Sequence, residues 1–313
     1  MYGRPVSFFR MSVDEHTTDQ DVPFPESPVL PAMMDGGKTI QFRCHRGVAC
    51  WNACCSNIDI SLTPYDILRL KRRLGLTSTE FLARYTVPYE MEKDGIAGVK
   101  LRPVEDGTAC RFMQPEGCGV YADRPTACRY YPVALLAMRK QGEATDRDAY
   151  AMVKEPHCLG HHEPRPITIA DYRLEQGLPE YDELARGWRQ LILKKKSSGP
   201  TIGKPSKRSL QLFFMTCYDV DRFRGFVASD GFSDVYDLPA AELVEIVADD
   251  VKLMLFGFRF LRQVLFGEMS IAPHAETVEK RRHRLAERQR ELEREAAARM
   301  ARDEELHDDG SDG

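Results

Sequence analysis

The chain has 313 residues, of which 42% are hydrophobic, so it can bury a core of ordinary size and is not wholly disordered. Its net charge of −4 argues against nucleic acid as the main partner, because nucleic-acid-binding proteins usually present a strongly basic face. No apolar run reaches the roughly 20 residues that span a bilayer, and none near the N-terminus is long enough for a secretory signal. These features predict a soluble, cytoplasmic protein with no membrane partner.

Residues 1–38 contain five prolines and no sustained period, which predicts a disordered or extended N-terminal tail. A first helix is predicted to start at the N-cap Thr63, followed by Pro64, and to end at Gly75. A second capping box at Thr77 predicts a short helix directly after it. Short strands are predicted at 39–43, 99–104, 133–138 and 149–153.

The second half of the chain is predicted to be helical. Residues 176–270 are expected to form a helical extension, with one helix from about 179 to 196 and a strongly apolar helical stretch at 240–266. A polar, basic linker is predicted between them, at 194–208. Residues 271–313 are rich in charge and predict a solvated helix that fades into an acidic tail.

Nine cysteines are the most informative feature of the composition. Cys217 stands alone and is predicted to be a buried small hydrophobe. In a reducing cytosol the other eight indicate metal binding rather than disulfides, and thiolates suit zinc or an iron–sulfur cluster. Eight thiolates could close two four-thiolate sites or one site with spares, so the adjacent Cys54 and Cys55 either face different sites or leave one spare. The predicted metal ligands are Cys44, Cys50, Cys54, Cys55, Cys110, Cys118, Cys128 and Cys158.

Four further residues are candidates for supporting the ligands. Arg111 and Arg129 follow cysteines directly, and their charge would offset that of the thiolates. Arg124 precedes a proline, which favours a role in fixing the turn before Cys128. Tyr121 could shield a cluster from water, although plain packing is the more common role of such a tyrosine. Ligation by a histidine is the less favoured alternative at His45, His157, His161 and His162.

The cysteine segments follow one another in a specific order. They are Cys110-Arg111-Phe112, Cys118-Gly119-Val120-Tyr121, Arg124-Pro125-Thr126-Ala127-Cys128-Arg129-Tyr130-Tyr131-Pro132 and Cys158-Leu159-Gly160. This order resembles the YkgJ-type cysteine-cluster family (CxxCxxCC), a zinc- or iron-chelating domain related to flagellin N-methylase-like proteins, over about residues 39–175. At the front the chain departs from the family pattern, because Cys44, Cys50 and Cys54 are more widely spaced than the family's C-x-x-C-x-x-C.

The predicted fold class is α+β, with a loop-rich metal-binding core at 39–175 followed by the helical extension. The resemblance implies a metal-binding protein that holds zinc or an iron–sulfur cluster. It also leaves open an iron–sulfur-dependent enzyme similar to the protein lysine methylases. A non-catalytic scaffold with structural zinc, which binds a protein partner through the charged C-terminal helix, is the third hypothesis. The radical-SAM pattern C-x-x-x-C-x-x-C is incomplete here, because position 57 is asparagine.

Overall fold

The computed structural model describes residues 33–91, 96–138, 147–197 and 206–308. The predicted tail therefore lies outside the described residues except for its last six positions. The helices are α1 Pro64–Leu74, α2 Ser78–Tyr85, α3 Thr126–Tyr130, α4 Ile169–Glu175, α5 Leu178–Ser197, α6 Lys207–Tyr218, α7 Val220–Val227, α8 Asp230–Ser233, α9 Ala240–Ala248, α10 Asp250–Phe266 and α11 Ala275–Asp308. The predicted α+β class is confirmed.

The strands pair into small antiparallel sheets of two strands each. The strands are β1 Thr39–Gln41, β2 Thr86–Glu90, β3 Ala97–Leu101, β4 Met113–Gln114, β5 Gly117–Cys118, β6 Val133–Met138, β7 Arg147–Met152 and β8 Pro166–Thr168. β1 pairs with β8, β2 with β3, β4 with β5 and β6 with β7.

The helix ends that the capping residues predict are observed in the structure. Thr63 and Thr77 each form a complete capping box at the start of α1 and α2. Gly75 ends α1 in the left-handed conformation, with φ of 65°. The apolar stretch at 240–266 is two helices rather than one, because the side chain of Asp249 accepts the Lys252 N–H and caps α10.

Two hydrophobic cores organise the described residues. The large core joins α1, α2 and β3 to the C-terminal helices, and Leu70, Phe81, Phe223 and Leu253 are fully buried in it. The small core is built mainly from the β1–β8 and β6–β7 sheets and α4. Its buried residues are Ile40, Phe42, Tyr130, Val133, Tyr150, Met152, Ile167, Ile169, Tyr172 and Leu178. The large core draws on residues from both sides of position 175, and the predicted domain boundaries stay a prediction.

A buried charge cluster ties α1 to the C-terminal helices. Lys71 is only 7% exposed, and its Nζ lies 3.0 Å from Asp221 on α7 and 3.1 Å from Asp250 on α10. The N–H of Ser78 at the start of α2 also donates to Asp221. The buried Lys71 therefore links α1 to α7 and α10 through its ion pairs with the two carboxylates.

No helix in the described ranges combines the length and the apolar character needed to cross a membrane.

Candidate metal centre

All eight clustered cysteines line one cavity of about 490 Å³, and all are free thiols. They come from three separate stretches of the chain. The cavity lies between the two cores, because its wall contains Phe42 and Tyr172 from the small core and Phe112 from the large core. Cys217 is instead buried within the large core.

The first stretch, 44–55, folds into consecutive turns. Near its end Asn52 adopts the left-handed conformation, with φ of 67°, and its side-chain amide donates to the carbonyl of Gln114 at 2.9 Å. The chain then forms a short 3-10 helix at Ala53–Cys55. The reversal at Asn52 lets Cys50 and the adjacent pair Cys54 and Cys55 all reach the cavity wall.

His45 stabilises a turn in the segment between Cys44 and Cys50. Its Nδ1 accepts the N–H of Gly47 at 3.1 Å, so its Nε2 carries the proton and donates to Glu163 at 3.0 Å. Both ring nitrogens of His45 are therefore engaged. The wider spacing at the front of the cysteine pattern corresponds to this closed turn.

The second stretch places two thiols on a tight hairpin. The N–H of Cys110 donates to the carbonyl of Cys55 at 2.8 Å, which joins the hairpin to the first stretch. The carbonyl of Cys110 accepts the Met113 N–H at 3.1 Å, and Met113 pairs with Cys118 across β4 and β5. Backbone hydrogen bonds thus hold the chain at Cys55, Cys110 and Cys118 together.

Cys128 is positioned by a buried carboxylate. Asp66 is fully buried and accepts both the N–H and the hydroxyl of Thr126, at 2.8 and 2.7 Å, at the start of the helix that carries Cys128. Its other oxygen accepts the N–H of Thr63. Asp66 therefore fixes α3 to the start of α1.

The third stretch brings Cys158 beside the first. The N–H of Leu159 donates to the Sγ of Cys50 at 3.2 Å, and the N–H of Arg43 donates to the carbonyl of Gly160 at 3.1 Å. A Cβ at Gly160 would lie 2.9 Å from the carbonyl oxygen of Arg43. Only glycine permits this close approach of the two backbones.

Residues 43–159 match the model of a known family, CxxCxxCC, described as a putative zinc- or iron-chelating domain. Residues 43–159 are thus similar to this domain, which is the family that the order of the cysteine segments resembles. The matched segment contains all eight cavity cysteines, which supports metal binding with zinc or iron as the metal. No curated protein and no solved structure matches the chain.

The thiols of the CxxCxxCC domain influence one another's protonation. Burial, followed by the nearby thiols of Cys54, Cys50 and Cys158, raises the pKa of Cys44 to about 11. The Sγ atoms of Cys54 and Cys55 are 4.0 Å apart. The Cys55 thiol donates to Cys54, which lowers the pKa of Cys54 to about 7 and raises that of Cys55.

Burial raises the pKa of the three remaining thiols of the second stretch, Cys110, Cys118 and Cys128. Repulsion from the negative charges of the Cys110 and Cys118 thiolates raises the pKa of Cys128 further. Without metal these thiols hold their protons at neutral pH. Metal binding by the domain is therefore expected to release protons and to strengthen as pH rises.

Arg124 is a buried cation on the cavity wall. It is 8% exposed, and its guanidinium donates only to neutral groups, the Tyr121 carbonyl at 2.9 Å and the side-chain oxygen of Gln176. Over the described part of the chain, no carboxylate lies within ion-pair distance of it. Its charge lowers the pKa of both Cys44 and Cys118. The cavity wall thus contains a buried positive charge that acts on two of the thiols and has no carboxylate partner among the described residues.

The other predicted supporting residues have different positions. Tyr121 is 57% exposed and lies on the cavity wall, with its ring 4.0 Å from the Arg124 guanidinium. Arg129 is buried outside the wall and donates to the carbonyls of Arg124, Ala122 and Gln176, so it holds the turn before Cys128. Arg111 also lies outside the wall and donates to the carbonyl of Pro103 at 2.7 Å.

The histidines near Cys158 are arranged unequally. His157 lines the cavity and lies 3.5 Å from the carboxylate of Glu155. His161 donates to the carbonyl of Val153 at 3.2 Å and packs against the ring of Phe42. His157, which lines the cavity, is therefore the histidine of this group that could supply a nitrogen ligand to a metal in it.

Trp51 is a site residue that the sequence analysis did not select. Its Nε1 is buried and has no hydrogen-bond partner in the described ranges, and the residue lines the cavity. The ring packs on Gly117, where a Cβ would lie 3.0 Å from it. The only signal in the sequence is its place directly after Cys50, which does not distinguish a cavity residue from ordinary packing.

The donor set fits an anionic metal–thiolate centre. Eight soft thiols line the cavity together with an indole N–H that has no acceptor, and a guanidinium that has no carboxylate partner, among the described residues. Four thiolates on one divalent ion leave a charge of about −2, which these groups would stabilise. In the described residues no three His, Cys, Asp or Glu side chains are already grouped closely enough to hold a metal ion. Binding therefore requires the thiols to move inward from the cavity wall.

Proposed function

We propose that the CxxCxxCC domain holds a metal centre through its eight cavity cysteines, and that the centre is of the iron–sulfur type. The observation that carries the proposal is the convergence of eight free thiols, from three stretches of chain, on one cavity. When bound, such a cluster supplies electron transfer or a Lewis-acidic iron. The role of this chain's residues is to supply thiolates, hydrogen bonds and charge.

The surroundings of the thiols favour an iron–sulfur centre over a single zinc ion. A cluster brings inorganic sulfides that accept hydrogen bonds, and such bonds are a main means of setting its potential. The buried N–H of Trp51 has no acceptor within the described residues. A zinc ion with four thiolates adds no further acceptor atoms and occupies little space, whereas the cavity measures about 490 Å³.

Zinc is the second candidate, and one distance favours it. The sulfurs of Cys54 and Cys55 are 4.0 Å apart, and two sulfurs on one tetrahedral zinc with bonds of about 2.3 Å are about 3.8 Å apart. A zinc site would need only small movements of this pair. The same pair on two different irons of a cluster would have to separate.

Analysis of iron, acid-labile sulfide and zinc in protein purified without oxygen and without chelators tests the choice. We expect iron with an equal amount of sulfide and a broad visible absorption band. Zinc with no visible absorption would reject the iron–sulfur assignment. The variant Cys217→Ser, which leaves the cavity unchanged, serves as the control and should retain the wild-type metal content.

The Arg124→Gln variant is expected to bind metal about 10–100-fold more weakly, because it removes the buried charge that offsets the thiolates. The measurement is the metal affinity from competition with a chelator of known affinity. Arg165→Gln is the matched control, since Arg165 also lines the cavity but is paired with Glu175. Equal affinities in both variants would remove Arg124 from the proposed centre.

Two finer hypotheses from the sequence stay proposals. An enzyme similar to the protein lysine methylases would need a place for substrate beside the metal centre, and the exposed side of the cavity near Cys44 and Cys54 would supply it. A structural-zinc scaffold would use α11, on which Val278, Leu285 and Leu292 are exposed among charged residues. Methyl transfer to a lysine peptide tests the first, and partner capture with and without α11 tests the second.

A further inference from the structure

We propose that the eight cysteines form two metal sites of four thiolates each, and that the chain divides them between Cys54 and Cys55. This inference rests on the proposed function, because it assumes that these thiols bind metal. The inner site consists of Cys55, Cys110, Cys118 and Cys128. The outer site consists of Cys44, Cys50, Cys54 and Cys158.

The inner set is held together by backbone hydrogen bonds and buried anchors. The bond from the Cys110 N–H to the Cys55 carbonyl joins two members, and the β4–β5 hairpin joins Cys110 to Cys118. Cys128 is carried by α3, which Asp66 fixes at its start. All four are at least partly buried, so the surrounding structure limits access to a metal held by this set.

The outer set is assembled from the two ends of the domain. The Leu159 N–H donates to the Sγ of Cys50 at 3.2 Å, which places Cys50 next to Cys158. The hydrogen bond from the Arg43 N–H to the Gly160 carbonyl brings the neighbouring Cys44 close to the segment that carries Cys158. Cys44 and Cys54 are exposed, so this set lies on the solvent side of the cavity.

The division between Cys54 and Cys55 follows from the local backbone. Both belong to the 3-10 helix at Ala53–Cys55, and their Sγ atoms are 4.0 Å apart, so ligation at separate sites requires the two thiols to turn away from each other. Cys54 is exposed and Cys55 is partly buried. The carbonyl of Cys55 accepts a hydrogen bond from the Cys110 N–H, so we assign Cys55 to the inner set. Two sets of four then account for every cysteine that lines the cavity.

The difference in exposure predicts a difference in metal release. A chelator reaches the outer site first, because two of its four thiols are exposed. The inner metal is released more slowly, since its ligands must first move away from the buried backbone that holds them. Arg124 is buried on the wall of the cavity that both sets line.

The matched variants Cys54→Ala and Cys55→Ala in the full-length protein test the division. We measure metal per chain and the time course of metal release to excess chelator, and we expect two release phases in the wild type. Cys54→Ala is expected to lose about half the metal and the fast phase. Cys55→Ala is expected to lose about half the metal and the slow phase. Circular dichroism checks that each variant is folded.

Loss of the same phase in both variants, or of all metal in either folded variant, would overturn the two-site inference. If Cys55→Ala does not fold, the wild type alone decides, by counting the thiols that become reactive during chelation. Two steps of four thiols support the division, whereas one step of four or of eight overturns it. A wild-type protein that binds no metal contradicts the proposed function itself, and a wild type with one site contradicts only the inference drawn here.

Discussion

Removal of the metal is expected to unfold the small core while the large core stays folded. The cavity lies between the two cores, so a metal centre there connects them. The small core contains ten buried residues, too few to stabilise an independent unit, whereas the large core includes the long apolar helix α10. Structural zinc centres contribute about 10 kcal/mol or more to folding. Most of that stabilisation should be lost from the β1–β8 and β6–β7 sheets.

Hydrogen exchange measured by mass spectrometry, before and after the metal is stripped, resolves the effect along the chain. Amides of Val133–Met138 should lose protection strongly, whereas those of Asp250–Phe266 should change little. Stripped protein reloaded with metal is the control and should regain protection. Unchanged exchange in both segments, or equal loss in both, would contradict the connecting role of the centre.

Replacement of Lys71 by methionine is expected to lower the free energy of unfolding by about 3 kcal/mol. The substitution keeps the side-chain volume but removes the closest cation of Asp221 and one of the cations beside Asp250, and breaking a buried ion pair typically costs about 3–5 kcal/mol. Arg224 remains beside both carboxylates and offsets part of the loss, which places the expectation at the lower end. Denaturant unfolding of metal-loaded protein measures the change.

The effect of Lys71→Met should depend on pH. Burial works to raise the pKa of Asp221, but the Ser78 N–H and Lys71 outweigh it and hold that pKa below its ordinary value. This carboxylate therefore stabilises the fold above about pH 4, and the contribution is lost as pH falls through its folded pKa. The difference between wild type and variant should shrink below about pH 4. Arg72→Met, an exposed neighbour on α1, is the control and should cost less than about 1 kcal/mol.

Local features of this fold could be predicted from the sequence because short-range chemistry decides them. The capping boxes at Thr63 and Thr77 and the glycine at 75 place the ends of α1 and α2. The strand β2 was not predicted, because it follows α2 without a turn and contains Pro88, which argues against a strand. The end of α9 at Asp249 was also missed, since an aspartate inside an apolar stretch does not by itself indicate a helix boundary.

The candidate site could likewise be predicted only in part from the sequence. The eight cysteines could be selected from their spacing and residue type, and the structure brings all eight to one cavity. Their partition could not be predicted, because it depends on contacts such as that between Cys50 and Leu159, 109 positions apart. The roles of Trp51 and Arg124 also depend on the absence of an acceptor and of a carboxylate near them in the part of the chain that the structure describes, and a sequence does not show which groups remain unpaired.

The central claim is that the cavity cysteines hold metal in the folded protein. Mass spectrometry of the intact chain, first under native and then under acidic denaturing conditions, tests it most directly. We expect the native mass to exceed that of the polypeptide by the mass of the bound metal centre, and the excess to disappear on denaturation. A folded protein whose native mass equals that of the polypeptide, with all eight cavity thiols free to react, would contradict the account.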